Sequence, residues 1–163
     1  VGGRIMAGTA QAVPEGYHTI TPHLIVKGAD EAIAFYKRAF GAEELCRMPM
    51  PAPDGGVKVG HAELQVGDSR LFLADEFPDY GSTGPNGHSP VAIHLYVPDA
   101  DATFARAVAA GATVAMPLEN AFWGDRYGKL VDPFGHHWSI ATHLEDLTPE
   151  QMQERMAAAM GQG

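Results

Sequence analysis

The side chains in this sequence that could do chemistry recur at regular spacing. His23 and His94 hold the same place in two similar segments, His23-Leu24-Ile25-Val26 and His94-Leu95-Tyr96-Val97. His61 and Glu63 stand two residues apart, as do His137 and Ser139, a spacing that puts both members of each pair on one face of a strand. Two imidazoles could begin a divalent-metal site, with His61, Glu63 or His137 as a third ligand. Glu63, or a histidine beside it, could serve as general base on a bound carbonyl compound, the one catalytic role the sequence suggests; whether the protein is an enzyme stays open. Phe122, Trp123 and Tyr127 offer ring faces to a flat ligand, and Arg126 among them could meet a carboxylate or carbonyl.

Other chemistries have less footing. Ser139 and His137 share a strand, which does not give a hydroxyl nucleophile the oriented base it needs. Cys46 sits in the strand-like run Glu43 to Met48 with no basic group identifiably close, so it reads as a buried, unactivated thiol, and a lone cysteine excludes an internal disulfide. Eleven basic against twenty acidic residues give a formal charge of −9. That charge repels phosphate backbones, so nucleic acid is not an expected partner, whereas cationic small molecules would be attracted. No run approaches the ~20 apolar residues of a membrane span and no basic-then-apolar leader opens the chain. The expectation is a cytoplasmic protein with no membrane partner.

The elements that must position these residues come in two sets. Thr19 to Val26 reads as a strand, followed by a helix with Ala32, Ile33, Tyr36 and Phe40 on one face and Gly41 at its end. Glu43 to Met48, Lys58 to Val66 and Ser69 to Asp75 read as three more strands, with a Pro/Gly loop from Pro49 to Gly56. The pattern then repeats at an offset of 71 residues (94 minus 23), with a helix whose packing face is expected at Ala102, Ala105, Val108 and Ala109. Thr113 to Leu118 is its second strand. Asp132-Pro133-Phe134-Gly135 reads as a type I turn that closes a hairpin between Asn120 and His143. Thr148-Pro149-Glu150-Gln151 opens a last helix with a capping box, and Met152, Met156 and Met160 line one side of it, expected to pack on the body or on a partner.

The expected fold is α+β: two tandem βαβββ modules whose mixed sheets are cupped, with the helices on the convex side. Residues 1–16 are read as a tag remnant and disordered N-terminus, with Val1 to Ile5 as a vector scar before Met6. The first module spans 17–78, a linker 79–90, the second module 91–144, and the last helix with a frayed Gly161 to Gly163 end 145–163, all in one structural domain. Alternation sends Leu24, Val26, Leu64, Val66, Leu71, Leu73, Leu95, Val97, Trp138 and Ile140 to the helix side. His23, His61, Glu63, Phe72, His94, Tyr96 and Ser139 then face the cup.

With repeat and hairpin in hand, the chain resembles the vicinal oxygen chelate superfamily, which includes glyoxalase I, extradiol dioxygenases, and fosfomycin- and bleomycin-resistance proteins. It is most similar to the PhnB-like branch, through Ala32-Ile33-Ala34-Phe35-Tyr36, Phe40-Gly41-Ala42-Glu43, Gly60-His61-Ala62-Glu63-Leu64, Ser69-Arg70-Leu71-Phe72, Phe122-Trp123-Gly124-Asp125-Arg126-Tyr127-Gly128 and Asp132-Pro133-Phe134-Gly135. The resemblance implies metal ligands from the first and last strands of each module, near Thr21, Phe72, Ala92 and Ser139. None of these four is a good ligand, so no cofactor is expected. A divalent metal displaced to His23 and His94, serving a lyase, isomerase or dioxygenase, is the alternative. The leading expectation is a homodimer that holds an aromatic or cationic small molecule among His23, His61, Glu63, Phe72, His94, Tyr96, Trp123, Arg126 and Ser139.

Overall fold

The computed structural model describes residues 10–161, so the residues read as a vector scar and the terminal Gln162 and Gly163 lie outside the described residues. In the first module β1 (His23–Val26), α1 (Ala29–Phe40), β2 (Glu43–Pro51), β3 (Val57–Val66) and β4 (Ser69–Asp75) follow one another. The second repeats the order with β5 (Ala92–Tyr96), α2 (Ala100–Ala110), β6 (Thr113–Asn120), β7 (Asp125–Val131) and β8 (His137–His143). The linker carries a 3-10 turn at Pro78–Tyr80, and α3 (Pro149–Met160) ends the described chain. Each module makes a four-stranded sheet, β1-β4-β3-β2 and β5-β8-β7-β6. The first strand runs parallel to the last, and the other pairs are antiparallel. This is the tandem βαβββ architecture that the repeat predicts.

Local chemistry explains the element ends. Gly28 and Gly41 take φ of 90° and 68°, a region costly for side-chain-bearing residues, and bound α1 on both sides. The Asp75 carboxylate accepts the Ala29 amide at 2.8 Å, so the end of β4 caps the helix. In the second module Thr142 on β8 does the same for Ala100, also at 2.8 Å. The Asp132 carbonyl accepts the Gly135 amide at 3.1 Å, which closes the expected hairpin turn between β7 and β8.

The strands alternate as read, and the helix-side residues of both sheets enter one core: Leu24, Val26, Leu64, Leu71, Leu73, Trp138 and Ile140 are buried, with Val66, Leu95 and Val97 packed against them. Phe40 of α1 lies 4.6 Å from Trp138 of β8, ring centre to ring centre, so the convex side of one module rests on that of the other. Asp132 fastens them. One carboxylate oxygen accepts Tyr36 Oη at 2.6 Å and Trp138 Nε1 at 2.9 Å; the other accepts the amides of Phe134 and His136 at 2.9 Å. Burial foremost, and the Asp132 charge after it, push the Tyr36 phenol well above its ordinary pKa. With the helices and convex faces joined, both concave faces turn away from the shared core.

Several expectations need correction. β1 starts at His23, because Pro22 has no amide to donate, although its carbonyl still accepts Phe72 N. β2 runs on to Pro51, three residues past the expected end, and takes up the start of the Pro/Gly loop. The packing face of α2 is not Ala102, Ala105, Val108 and Ala109, which are exposed. Ala100 and Ala107 are buried instead, with Phe104 packed on the core. Alanines surround this helix on all sides, so spacing alone cannot fix its face, and the one large apolar side chain decides. Tyr17 N donates to the Pro14 carbonyl at 3.1 Å in a turn before β1. The capping box of α3 is present, yet no residue of the helix is buried, so Met152, Met156 and Met160 do not pack on the body. No helix of the described residues is long and apolar enough to cross a membrane.

Candidate functional site

Strand register assembles each concave face residue by residue. In the first module His23 pairs with Phe72, Phe72 with Glu63, and Glu63 with Cys46, so these four side chains form one row across the sheet. His61 stands beside the row, with its ring centre 4.8 Å from Phe72 and 6.0 Å from His23. Its Nε2 is 3.2 Å from Glu63 Oε1, and the second Glu63 oxygen accepts the hydroxyl of Tyr17. That hydroxyl, then His61, hold the Glu63 carboxyl below its ordinary pKa, and the same bond raises the Tyr17 phenol. Removal from water, with His61 nearby, lowers the His23 imidazole. Glu63 is therefore a hydrogen-bond acceptor held ionised, which weakens it as a base at neutral pH.

The second face is aromatic. Tyr96 pairs with Ala141 and Ala141 with Tyr127, while His94 pairs with Ser139 and Ser139 with Lys129. The small Ala141 is fully buried beneath the cluster of rings that the two tyrosines form with His94. His94 stacks on Tyr127 at 5.9 Å with 24° between ring planes and meets Tyr96 edge-on at 4.5 Å. Trp123 adds a third wall, edge-on to Tyr127 at 5.1 Å. His94 Nδ1 lies 2.6 Å from Ser139 Oγ, so the buried serine orients the imidazole. At the end of this ring cluster the Asp125 carboxylate is only 3% exposed. It accepts Trp123 Nε1 at 3.1 Å and stands 2.7 Å from His143 Nδ1, whose Nε2 is 2.8 Å from Asp146. Asp146 and then Asp125 raise the His143 pKa.

Eight of the expected ligand-contacting residues lie on these faces, divided between them: His23, His61, Glu63 and Phe72 on the first, and His94, Tyr96, Trp123 and Ser139 on the second. Arg126 does not join them. It pairs with Thr142 on the helix side of the sheet and binds Asp101 of α2 at 3.0 Å, since alternation carries it opposite Tyr127. Nor do His23 and His94 meet, because each has its ring neighbours on its own sheet. Among the described residues no three His, Cys, Asp or Glu side chains cluster as metal ligands. Cys46 is exposed on the concave side beside Glu63, not buried, because β2 is an edge strand with nothing packed over that face. Two residues escaped the sequence reading. Tyr17 lies before the first strand, where no periodicity flags it. Asp125 begins β7, and its place two residues before Tyr127 was the available signal.

Related proteins share this fold. A protein of *Mycobacterium tuberculosis*, Rv0887c, is 44% identical over 144 residues, covering 85% of this chain and 82% of its own. The crystal structure of PA1353 from *Pseudomonas aeruginosa*, 32% identical, superposes with a TM-score of 0.62 over 77% of this chain and 98% of that one. A PhnB protein from *Bacillus cereus* shares the fold at 20% identity and a TM-score of 0.58, over 77% and 99% of the two chains. The profile of one family matches residues 16–140, from before β1 into β8. On the repeat, the sheet order and that match together, the chain belongs to the Glyoxalase/Bleomycin resistance protein/Dioxygenase superfamily.

Proposed function

We propose that this protein binds a flat aromatic or cationic organic molecule on its concave faces, as a cytoplasmic homodimer and with no metal. The observation that carries the reading is the aromatic cluster of the second module. Tyr96, His94, Tyr127 and Trp123 rise over the buried Ala141, and Tyr96 is 66% exposed, with its hydroxyl directed to the Asp125 carboxylate at 3.5 Å and its ring left in water. Rings at such spacing favour stacking and cation–π contact, and the buried Asp125 carboxylate adds attraction for a positive charge. A net charge of −9 acts in the same direction at longer range. The dimer has support of a different kind. Both concave faces are turned outward, and the methionine side of α3 is uncovered, so a second copy would close over surfaces that one chain leaves open. An exposed single cysteine suits a reducing compartment.

Titration with N-methylquinolinium, and with neutral quinoline as its uncharged counterpart, tests the binding reading. Saturable quenching of Trp123 emission is expected with the cation, more weakly with quinoline, and it should be lost in Tyr127→Ala. The buried Trp138 is the internal reference. Unsaturable quenching that is identical in the variant would remove this aromatic cluster as a binding site. A monomer in light scattering at micromolar concentration would remove the dimer.

A further inference from the structure

Tyr17 is the one half-buried residue in an otherwise exposed stretch: residues 10–16 and 18–20 are all exposed. Its side chain lies on the concave face of the first module, six positions before β1 begins. There its hydroxyl donates to Glu63, one ring face looks toward Phe72 at 5.8 Å, and the Arg70 guanidinium sits over the ring at 5.0 Å. Arg70 Nε also donates to the Gly16 carbonyl at 3.3 Å. His61, 3.2 Å from the other Glu63 oxygen, steadies the carboxylate that receives the hydroxyl. A ring wall, a cation over the ring and an ionised acceptor aimed at the hydroxyl are together the recognition chemistry of a phenol. The segment gains little else from this contact, and Tyr17 occupies the place that a bound ring would take.

We propose that the concave face of the first module is a binding site for a hydroxyaromatic ring, held by Glu63, Phe72 and Arg70, which Tyr17 fills from within the chain until such a ligand displaces it. This rests on the reading of the concave faces as small-molecule sites and extends it to the first module with a stated ligand chemistry. The directions in which Tyr17 and Glu63 titrate agree, since the phenol keeps its proton and the carboxylate stays ionised to receive it. A tether this short gives Tyr17 an effective concentration of about millimolar, so a simple phenol competes poorly. A ligand with further contacts outside this pocket would succeed. Binding then releases the segment before β1, and the apparent affinity is the intrinsic one reduced by the fraction of molecules in which Tyr17 is out.

The test uses p-cresol, with 4-methylanisole as the ring that cannot donate, followed by amide shifts in NMR spectra of the whole chain. Tyr17→Ala should bind p-cresol about tenfold more tightly than the unaltered protein, with shifts centred on Glu63 and Phe72. It should prefer p-cresol to 4-methylanisole by about tenfold, the scale of a hydrogen bond to a charged acceptor, and the added Glu63→Gln change should erase that preference. Tyr17→Phe loses the hydroxyl anchor and should also bind p-cresol more tightly than the unaltered protein; it serves if the alanine variant fails to fold. Equal affinity in all three proteins, or no discrimination between the two probes, overturns the proposal. N-methylquinolinium quenching of Trp123 in the same samples separates the failures. If it persists, only the phenol site falls; if it is absent too, the reading of both faces falls.

Discussion

Laid over one another, the two modules carry His23, Phe72, Glu63 and Cys46 across one row and His94, Ser139, Lys129 and Met116 across the matching row. The first position is kept and the other three change in kind. Where the first module has a ring, the second has a small hydroxyl that holds its histidine; where the first has a carboxylate, the second has an ammonium. The duplication therefore preserves the sheet and gives different chemistry to its two concave faces, the first built around an ionised carboxylate and the second around a larger cluster of rings. Backbone pairing and the helix-side apolar residues specify the sheet, and neither depends on what points into the cup.

The largest expected effect comes from the joint that holds the two faces in fixed relation. Asp132 receives four hydrogen bonds, two of them from side chains in different modules. Removing it leaves buried donors without acceptors, so Asp132→Ala should cost about 3 kcal/mol or more in urea unfolding. Asp125 makes the contrast, because it is equally buried but serves one face: Asp125→Ala should cost about 1 kcal/mol and act chiefly on ligand binding. If the two substitutions cost the same, Asp132 is not the joint between modules.

Much of this arrangement could be read from the sequence, and the parts that could not share a cause. The repeat placed His23 and His94 on matching strands, and strand alternation put His94 and Ser139 on the concave side; that the two meet depends on the parallel pairing of β5 with β8. The same alternation sends Arg126, one residue from Tyr127, to the helix side. Cys46, Tyr17 and the face of α2 depend on contacts between elements, which periodicity does not carry. Gly128 sharpens the last of these. A methyl there would come within 2.8 Å of Phe104 and 3.1 Å of the Leu118 backbone, which shows how closely α2 lies on its sheet. Gly128→Ala is expected to cost about 1 to 3 kcal/mol in thermal or chemical unfolding, and a neutral result would mean that Phe104 does not set the face of α2.

The smallest effect compares one histidine from each face. His23 in the first module is depressed below the ordinary 6.5 by removal from water and by His61, whereas His143 in the second is raised by Asp146 and Asp125. For His143 the folded chain holds its proton longer, so the stabilisation is complete below pH 6.5 and fades as pH rises through the elevated value. For His23 the unfolded chain takes up the proton first. A penalty therefore builds as pH falls from 6.5 through the depressed value, and there is none above pH 6.5. Ring-proton NMR should find His23 titrating at lower pH than His143. His143→Gln should lower stability on the acid side and so flatten its decline above pH 6.5, while His23→Gln should remove the penalty that builds below pH 6.5. Titration in the opposite order would mean that the first face is wetter and the second less acidic than their geometry implies, and the contrast between the modules would narrow to shape alone.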